Sequence, residues 1–382
     1  MSARPEAGLY LHIPFCRSKC DYCAFVSYPL GRHDLTDYCT ALAKEIKKVS
    51  TLDWSRNHRF STIFIGGGTP TIVEAASLVH LLDLLRSHFW VDDQAEITVE
   101  TNPNTVHSEA LSHLREGGVN RLSIGVQTFD DAILTRIGRT HTAAQAITAA
   151  TQARESGFEN INLDLIFGLP GQTLSDWQAT LTQAINLAPD HLSIYQLSLD
   201  QGSRFSELAD QGALTLPDEE EEAEMFEFTN LVLPPNGFER YEISNYSRLG
   251  RQCRHNLNYW DNGSYLGFGA GSVSCLSGLR LQTTPNPDRY TKCITQDLPP
   301  YIEAESLAPE ARFRETVIMG LRLITGIDGN LLRERFGLDL REYYGTILEN
   351  LIHQDLLRFD HNRLYLTERA LPIANQVLAE LV

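Results

Sequence analysis

Short apolar runs rich in β-branched residues alternate with amphipathic stretches through the first half of the chain. The apolar runs have the length of buried strands and lie at 9–15, 62–66, 96–100, 121–127, 160–167 and 191–199. The segments between them have the apolar spacing of helices, at 35–49, 74–88, 108–116, 143–156 and 174–187. This alternation predicts an α/β fold of parallel β/α units. Six such units favour a partial (β/α)6 barrel, or an open sheet, over the closed eight-unit barrel.

The pattern changes after residue 199. An acidic run at 218–222 opens a predicted helix that ends near Leu233, and its charges suit a solvated helix start. The Gly-, Asn-, Tyr- and Ser-rich segment 237–278 predicts loops and short strands, and 288–300 is interpreted as a connection.

The last eighty residues predict a separate small domain. Helical patterns precede a hairpin that turns at His361 and Asn362, and the segments are 312–323, 330–336 and 340–354 for the helices, then 356–359 and 363–366 for the strands. Three helices followed by a hairpin indicate a C-terminal winged-helix-like α+β domain. The predicted division is therefore a barrel at 1–200, a barrel extension at 201–300 and the winged-helix-like domain at 301–382.

The net charge and the composition of the chain argue against some classes of function. The 382 residues include 32 Lys and Arg against 49 Asp and Glu, which gives a net charge of −17. We expect no nucleic-acid partner, because phosphate-binding surfaces need clustered Lys and Arg. No apolar run approaches the roughly 18 residues that span a bilayer, and residues 1–8 lack the parts of a secretory signal. A cytoplasmic protein with at most peripheral membrane contact is expected.

Three of the seven cysteines form a compact motif. Cys16, Cys20 and Cys23 follow the first predicted strand with C-x3-C-x2-C spacing, at what would be the catalytic face of an α/β barrel. Three thiolates are one short of a closed zinc site, but they suit a [4Fe-4S] cluster whose fourth iron stays open for a ligand. The alternatives are a zinc site completed by Cys39 or a distant His, and simply buried cysteines.

Polar residues mark the ends of later predicted strands. Glu100, Gln127 and Asp164 each end an apolar run, and a carboxylate at such a point can hold ribose hydroxyls. Arg139 can pair with a ligand carboxylate through two hydrogen bonds. A glycine-rich turn that lets the backbone approach a ligand follows the second strand, at Gly66, Gly67, Gly68 and Thr69. Taken singly, each of these residues is equally compatible with a helix cap, a tight turn or a satisfied core group.

The cysteine spacing resembles that of the radical S-adenosylmethionine (SAM) superfamily. The resemblance implies a [4Fe-4S] cluster on the three cysteines and a glycine segment that pairs with the amino group of SAM. In that chemistry the reduced cluster passes an electron to SAM and produces a 5′-deoxyadenosyl radical. Resemblance to the coproporphyrinogen oxidase branch further implies that SAM is contacted by Tyr10, Glu100, Gln127, Arg139 and Asp164.

Two groups make up that branch. Oxygen-independent coproporphyrinogen III oxidases carry a fourth Cys where this chain has Phe25, and an N-terminal arm for which the fifteen residues before Cys16 leave no room. The HemW heme chaperones match on both counts and share the motif H-N-x-x-Y-W, here residues 255–260. They often have a His near 272–274, where this chain has Ser-Val-Ser.

The resemblance implies a heme site that involves His255, since imidazole ligates heme iron and flanking Tyr and Trp offer flat apolar surface. A His packed in a loop on the core is the alternative. The expected function is a heme chaperone that uses the cluster and SAM and transfers heme to an acceptor protein, of which a membrane respiratory cytochrome is one candidate. Oxygen-independent coproporphyrinogen III oxidase, or another radical SAM enzyme of porphyrin metabolism, is the alternative. Whether the radical acts on a substrate stays open.

Overall fold

The first 200 residues alternate strands and helices as the sequence predicts. The computed structural model describes residues 4–31, 33–276 and 278–382. The strands are β1 (Glu6–Ile13), β2 (Phe15–Cys16), β3 (Tyr28–Pro29), β4 (Arg59–Gly67), β5 (Val91–Thr101), β6 (Arg121–Gln127), β7 (Ile161–Phe167) and β8 (His191–Gln196). The helices are α1 (Leu35–Val49), α2 (Asp53–Arg56), α3 (Ala75–His88), α4 (Ser108–Glu116), α5 (Asp131–Arg136), α6 (Ala143–Glu155) and α7 (Leu174–Asn186). A 3-10 turn covers Pro70–Ile72.

The middle of the chain contains more regular structure than predicted. Its helices are α8 (Arg204–Asp210), α9 (Glu219–Val232), α10 (Arg254–Trp260) and α11 (Pro287–Thr295). Its strands are β9 (Glu239–Arg240), β10 (Asn245–Ser247), β11 (Ser264–Phe268), β12 (Val273–Leu276), β13 (Leu279–Thr283) and β14 (Tyr301–Ser306), and a 3-10 turn covers Pro234–Asn236. The predicted acidic helix is confirmed as α9, whose cap is Asp218.

Two interpretations of this middle region are wrong. The segment 288–300 is mostly helix α11, which Asn286 caps and Pro287 begins. Helix α10 was expected to be loop. Its first amides are capped by a residue far away in sequence, since Glu96 accepts hydrogen bonds from the backbone N–H of Arg254 and of His255, both at 3.1 Å.

A single large sheet carries the barrel. Its strand order is β14-β13-β12-β11-β1-β4-β5-β6-β7-β8-β10-β9, and all neighbours from β11 to β8 are parallel. Strands β9 and β14 end this order without pairing to each other within the described residues, so the parallel part forms an incomplete barrel. The prediction of an open α/β barrel is confirmed.

The two faces of β1 show how the barrel is layered. Leu9, Leu11 and Ile13 are buried in one large hydrophobic core, to which the helices also contribute. Gly8, Tyr10 and His12 alternate with them and face the barrel interior. One face of the sheet thus carries polar side chains toward the barrel interior, and the other packs apolar side chains against the helices.

The C-terminal part has a hydrophobic core of its own, which includes Phe313, Leu348 and Leu364. Its elements are α12 (Pro309–Gly320), β15 (Ile327–Asp328), α13 (Gly329–Phe336), α14 (Leu340–Tyr344), α15 (Thr346–His353), β16 (Leu357–Asp360), β17 (Arg363–Leu366), a 3-10 segment (Glu368–Ile373) and α16 (Ala374–Ala379). The predicted hairpin is confirmed, with positive φ at His361 and Asn362. The helix predicted over 340–354 is interrupted at Gly345, whose φ is 49°. Because β14 still pairs with β13, we propose that this domain begins after Ser306 rather than at 301.

No helix in the described ranges is both long enough and apolar enough to cross a membrane.

A buried carboxyl group on helix α1 forms hydrogen bonds with two segments that are distant in sequence. Glu45 on α1 is 2% exposed, and its Oε2 accepts hydrogen bonds from the backbone N–H of Gly269 at 2.9 Å and from the Tyr290 hydroxyl at 2.6 Å. Burial raises the pKa of Glu45 to about 7, although both donors partly oppose the shift. The carboxyl is therefore easier to ionise in the unfolded chain than in the folded protein.

We expect this group to make stability fall as the pH rises. Below the ordinary Glu pKa both states hold the proton, and between that value and about 7 the unfolded chain loses it first. A shift of this size corresponds to about 3 kcal/mol once both states are ionised. In Glu45→Gln, the unfolding midpoint should fall less between pH 5 and pH 8 than in the wild type, as measured by anaerobic thermal scans. Parallel pH profiles for the two proteins would contradict the assignment.

Candidate cluster and cofactor site

A cavity of about 330 Å³ opens at the carboxyl ends of the parallel strands. Most of the residues predicted from the sequence line it together: Cys16, Cys20, Cys23, Gly67, Gly68, Thr69, Glu100, Gln127, Arg139 and Asp164. Parallel strands bring their carboxyl ends to one edge, which is why residues spread over 150 positions meet here. Tyr10, Gly66 and His255 are not among the described residues that line this cavity.

Each of the three cysteines has a polar side chain near its sulfur. The Sγ of Cys16 lies 3.6 Å from Thr69 Oγ1, that of Cys20 lies 3.7 Å from Arg139 Nη1, and that of Cys23 lies 3.8 Å from Ser27 Oγ. Burial raises the pKa of the Cys16 thiol, and the Thr69 hydroxyl and the guanidinium oppose that shift. These donors would stabilise sulfur in its thiolate form once a metal cluster displaces the protons.

The arrangement of the cysteines fits a cluster better than a single ion. Across residues 4–31, 33–276 and 278–382, no three His, Cys, Asp or Glu side chains converge on one metal ion. The cysteines of a cubane each bind a different iron, so three of them leave its fourth iron open. Cys39, the suggested fourth zinc ligand, packs instead against the hydrophobic core from α1. The donor set therefore fits a [4Fe-4S] cluster with one open iron.

The glycines at the end of β4, next to this site, leave no room for a side chain. A Cβ on Gly68 would lie 2.9 Å from the Cys16 Sγ and 2.6 Å from the Phe15 carbonyl oxygen, and one on Gly66 would lie 2.8 Å from Glu100 Oε2. Gly67 has a φ of 122°, a conformation that side chains oppose. The backbone can thus approach both the cysteines and a bound ligand.

Two half-buried carboxyl groups face the same cavity. Glu100 Oε2 accepts a hydrogen bond from the Gly67 N–H at 3.0 Å. Asp164 accepts hydrogen bonds from Ser123 Oγ at 2.9 Å and Asn162 Nδ2 at 2.8 Å. Burial raises the pKa of Glu100 to about 8, and Asp164 adds to the shift; burial also raises the pKa of Asp164. These carboxyl oxygens are shielded from water and can accept further hydrogen bonds. A ligand with an ammonium group or hydroxyl groups would donate those hydrogen bonds.

Arg139 and Gln127 form another side of the cavity. Arg139 donates to the Gly125 carbonyl oxygen, to the Cys20 sulfur, and to His141 Nδ1 at 3.3 Å. Its guanidinium is therefore already fixed, and its predicted pairing with a ligand carboxylate stays a proposal. Gln127 has a φ of 69° at a register shift in β6, a strained backbone of the kind that clusters at functional sites.

His255 does not reach this cavity. Its ring is 1% exposed and packs in the barrel interior against Phe64 and Tyr10, with ring centroids 5.2 Å and 6.4 Å away. Its Nδ1 is hydrogen-bonded to Thr62 Oγ1 at 2.7 Å and its Nε2 to the Tyr259 hydroxyl at 3.1 Å. Burial lowers the pKa of His255 to about 3, so the ring is neutral. Both ring nitrogens of His255 are therefore hydrogen-bonded in this structure, and its ligation of heme iron stays a prediction.

The cavity also contains residues that the sequence reasoning missed. Tyr22, between the second and third cysteines, and Tyr195, near the end of β8, both line it. The same argument from strand ends that selected Glu100 would have selected Tyr195. Tyr10 is separated from the cavity and its hydroxyl is hydrogen-bonded to His12 Nδ1 at 2.7 Å.

Fold and site together define a radical SAM protein. The sequence model of the Radical SAM superfamily matches residues 10–184, and that of the HemN C-terminal domain matches residues 307–373. Membership of the superfamily implies a [4Fe-4S] cluster and SAM as cofactors.

Comparison with whole proteins identifies the family within this superfamily. The chain is 37% identical to the heme chaperone HemW of Bacillus subtilis over 96% of its length and 97% of that protein, and 39% identical to HemW of Escherichia coli over 73% and 74%. Among solved structures, coproporphyrinogen III oxidase (HemN) from Escherichia coli superposes with a TM-score of 0.86 at 25% identity, covering 99% of this chain and 90% of that one. The chain belongs to the heme chaperone HemW family.

Proposed function

We propose that this protein is a heme chaperone, which binds heme and passes it to an acceptor protein with the help of a [4Fe-4S] cluster and SAM. The observation that carries the proposal is the family relationship over nearly the whole chain, together with the complete H-N-x-x-Y-W motif. That motif forms helix α10, which packs on the barrel strands β1 and β4. A heme site there would be close to the cofactor cavity.

Different residues of the cavity would bind the cluster and SAM. Cys16, Cys20 and Cys23 would hold the cluster, whose open iron would take the amino and carboxylate groups of SAM. When bound and reduced, the cluster supplies single electrons to SAM. Glu100 and Asp164 would accept hydrogen bonds from the N–H groups of that amine and from the ribose hydroxyl groups, and the backbone at Gly67 would allow SAM to approach closely.

The main rival is oxidative decarboxylation of a porphyrinogen, the activity named for the Escherichia coli structure of the same fold. Phe25 argues against it, because it stands where the oxidases have a fourth cysteine. The Phe25 side chain is 73% exposed at the rim of the cavity. A phenyl group there adds apolar surface instead of a metal ligand or a redox-active thiol.

The acceptor and the compartment complete the proposal. We propose a cytoplasmic protein, since all seven cysteines are free thiols in the described structure and such thiols suit a reducing compartment. We propose a membrane respiratory cytochrome as acceptor, reached by peripheral contact. Neither a nucleic-acid partner nor an anchored form is part of the proposal.

The test is a heme titration of the anaerobically reconstituted protein, followed by transfer. We expect about one heme per chain, a shift of the Soret band, and heme delivery to membranes that contain an apo-cytochrome. With SAM and a reductant, coproporphyrinogen III should remain unchanged. Conversion of coproporphyrinogen III to protoporphyrinogen IX would overturn the proposal, and so would the absence of heme binding by the wild type.

A further inference from the structure

A chain of buried hydrogen bonds starts at Asp164 in the cofactor cavity and leads away from it through the barrel interior. Asp164 Oδ1 accepts a hydrogen bond from Asn162 Nδ2 at 2.8 Å, and Asn162 Oδ1 lies 2.6 Å from His191 Nδ1. Asn162 and His191 are 1% and 0% exposed and lie opposite each other on the neighbouring strands β7 and β8. His191 is not among the described residues that line the cavity. It is connected to Asp164 through the Asn162 amide.

The chain of hydrogen bonds continues to Tyr241, which lies between β9 and β10. The Tyr241 hydroxyl is 2.8 Å from His191 Nε2 and also accepts a hydrogen bond from the backbone N–H of Cys253 at 3.3 Å. The Tyr241 backbone is fixed as well, since its N–H donates to the Asn245 carbonyl oxygen and its carbonyl oxygen accepts from the Ile324 N–H, both at 3.1 Å. The phenol is therefore held in place at Nε2 of the imidazole.

The hydrogen bonds of His191 have a defined direction. The amide oxygen of Asn162 can only accept, so the proton between the two residues belongs to His191 Nδ1. Burial lowers the pKa of His191 well below its ordinary value, and Arg121 adds to the shift, so the ring is neutral. A neutral imidazole has one donor and one acceptor, and Nε2 is therefore left to accept from the Tyr241 hydroxyl.

The orientation of the Asn162 amide matters for Asp164. With its oxygen turned to His191, the amide donates from Nδ2 to Asp164 and to Ser123 Oγ, which is 2.7 Å away. The Ser123 hydroxyl in turn donates to the other carboxyl oxygen of Asp164 at 2.9 Å. If the amide turned over, its oxygen would face the Asp164 carboxylate, and no proton would lie between the two acceptors.

We propose that His191 is a positioning residue for the SAM site, which fixes the Asn162 amide and thereby holds the Asp164 carboxylate in place for the ribose hydroxyls. Tyr241 fixes the tautomer in which His191 can do this. A carboxylate that is already held needs no ordering when SAM binds, and this favours affinity. The inference rests on the part of the proposed function that assigns Asp164 to SAM, and adds to it a residue outside the cavity.

Two substitutions of His191 separate this role from simple packing. In His191→Asn the new amide ends near the place of Nδ1 and can still donate to Asn162. In His191→Gln it ends near the place of Nε2, where it can bond with Tyr241 but not with Asn162. If His191 only filled space, the smaller side chain of His191→Asn would leave the larger cavity and would be the more harmful change.

The test measures the Kd of SAM for the anaerobic, cluster-loaded wild type and three variants. We expect His191→Gln to bind SAM about tenfold more weakly, because an oriented hydrogen bond to Asp164 is lost. His191→Asn should stay within about threefold of the wild type. The third variant is the control Tyr246→Phe, which removes a buried hydroxyl that donates to Asn230 and lies opposite Leu192 on β8. Its SAM affinity should equal that of the wild type.

The tautomer of His191 can be measured without relying on any change of affinity. Nitrogen NMR of the oxidised, cluster-loaded protein, with isotope label in its histidines, reports which ring nitrogen carries the proton. We expect the proton of His191 on Nδ1. The His191 signals are identified by their absence from the spectrum of His191→Asn.

Three results would overturn the inference. Wild-type SAM affinity in His191→Gln, or a loss in His191→Asn as large as that in His191→Gln, would show that His191 acts through packing alone. A proton on Nε2 in the wild type would contradict the direction of the hydrogen bonds even if no variant folds. Wild-type affinity in Asp164→Asn would instead remove Asp164 from the SAM site, so failure of that assignment is distinguishable. Matched iron content and thermal midpoints control for misfolding.

Discussion

Replacement of Cys16, Cys20 or Cys23 by alanine is expected to abolish the iron–sulfur cluster completely. Three thiolates bind three of the four irons and leave one open for SAM, and their loop supplies no further sulfur among the described residues that line the cavity. Each variant should lose the broad visible absorption of the cluster, its iron content by elemental analysis, and the electron paramagnetic resonance signal of the reduced form.

The remaining cysteines provide the control. Cys39, Cys253, Cys275 and Cys293 are not among the residues that line the cavity, so their alanine variants should retain the full iron content. If folded Cys39→Ala lost its iron, the three-ligand assignment would be wrong and a four-ligand site would be needed.

Isosteric neutralisation of the cavity carboxyls is expected to weaken SAM binding strongly. In Glu100→Gln and Asp164→Asn the side chain keeps its size but accepts hydrogen bonds less well. The pKa values of both carboxyls are raised in the empty site, but hydrogen-bond donors of bound SAM favour the ionised form. Loss of a charge-assisted hydrogen bond costs about 1.5 to 3 kcal/mol, or roughly ten- to a hundredfold in affinity. Equilibrium binding of SAM to anaerobic, cluster-loaded protein measures the effect.

A matched control comes from the same chain. Glu45→Gln neutralises another buried carboxyl, one that contacts Gly269 and Tyr290 and is not among the lining residues of the cavity. Its SAM affinity should equal that of the wild type. Wild-type affinity in both cavity variants would remove Glu100 and Asp164 from the SAM site.

The sequence was sufficient for the long strands and helices of the barrel because each of them has one clear hydrophobic period. The short elements β2, β3, α2 and α5 were not predicted. Strand β6 and helices α1 and α4 begin and end where predicted. Strand β11 was predicted only as one of the unspecified short strands within 237–278, because Gly267 dilutes its apolar pattern, although Leu266 and Phe268 are buried. Helix α10 depends on a cap from Glu96, which no local pattern can reveal.

For the site, too, the sequence predicted some positions and not others. Cysteine spacing and strand ends predicted most of the cavity residues, because parallel strands convert order along the chain into proximity. The position of His255 could not be predicted, since it depends on Thr62 and Phe64 from another strand. A motif fixes which residues are near each other on a helix, but not which of them faces the open side.

The central place of β1 in the sheet has a consequence for synthesis on the ribosome. This first strand pairs on one side with β4, which is made soon afterwards, but on the other with β11, where Ala7 lies opposite Ser264. While the chain is growing, that edge of β1 has no partner until two thirds of the protein has emerged, and unpaired edges invite aggregation. Closing so long a loop is also slow. The nascent barrel would therefore benefit from protection of this strand edge until β11 has been synthesised.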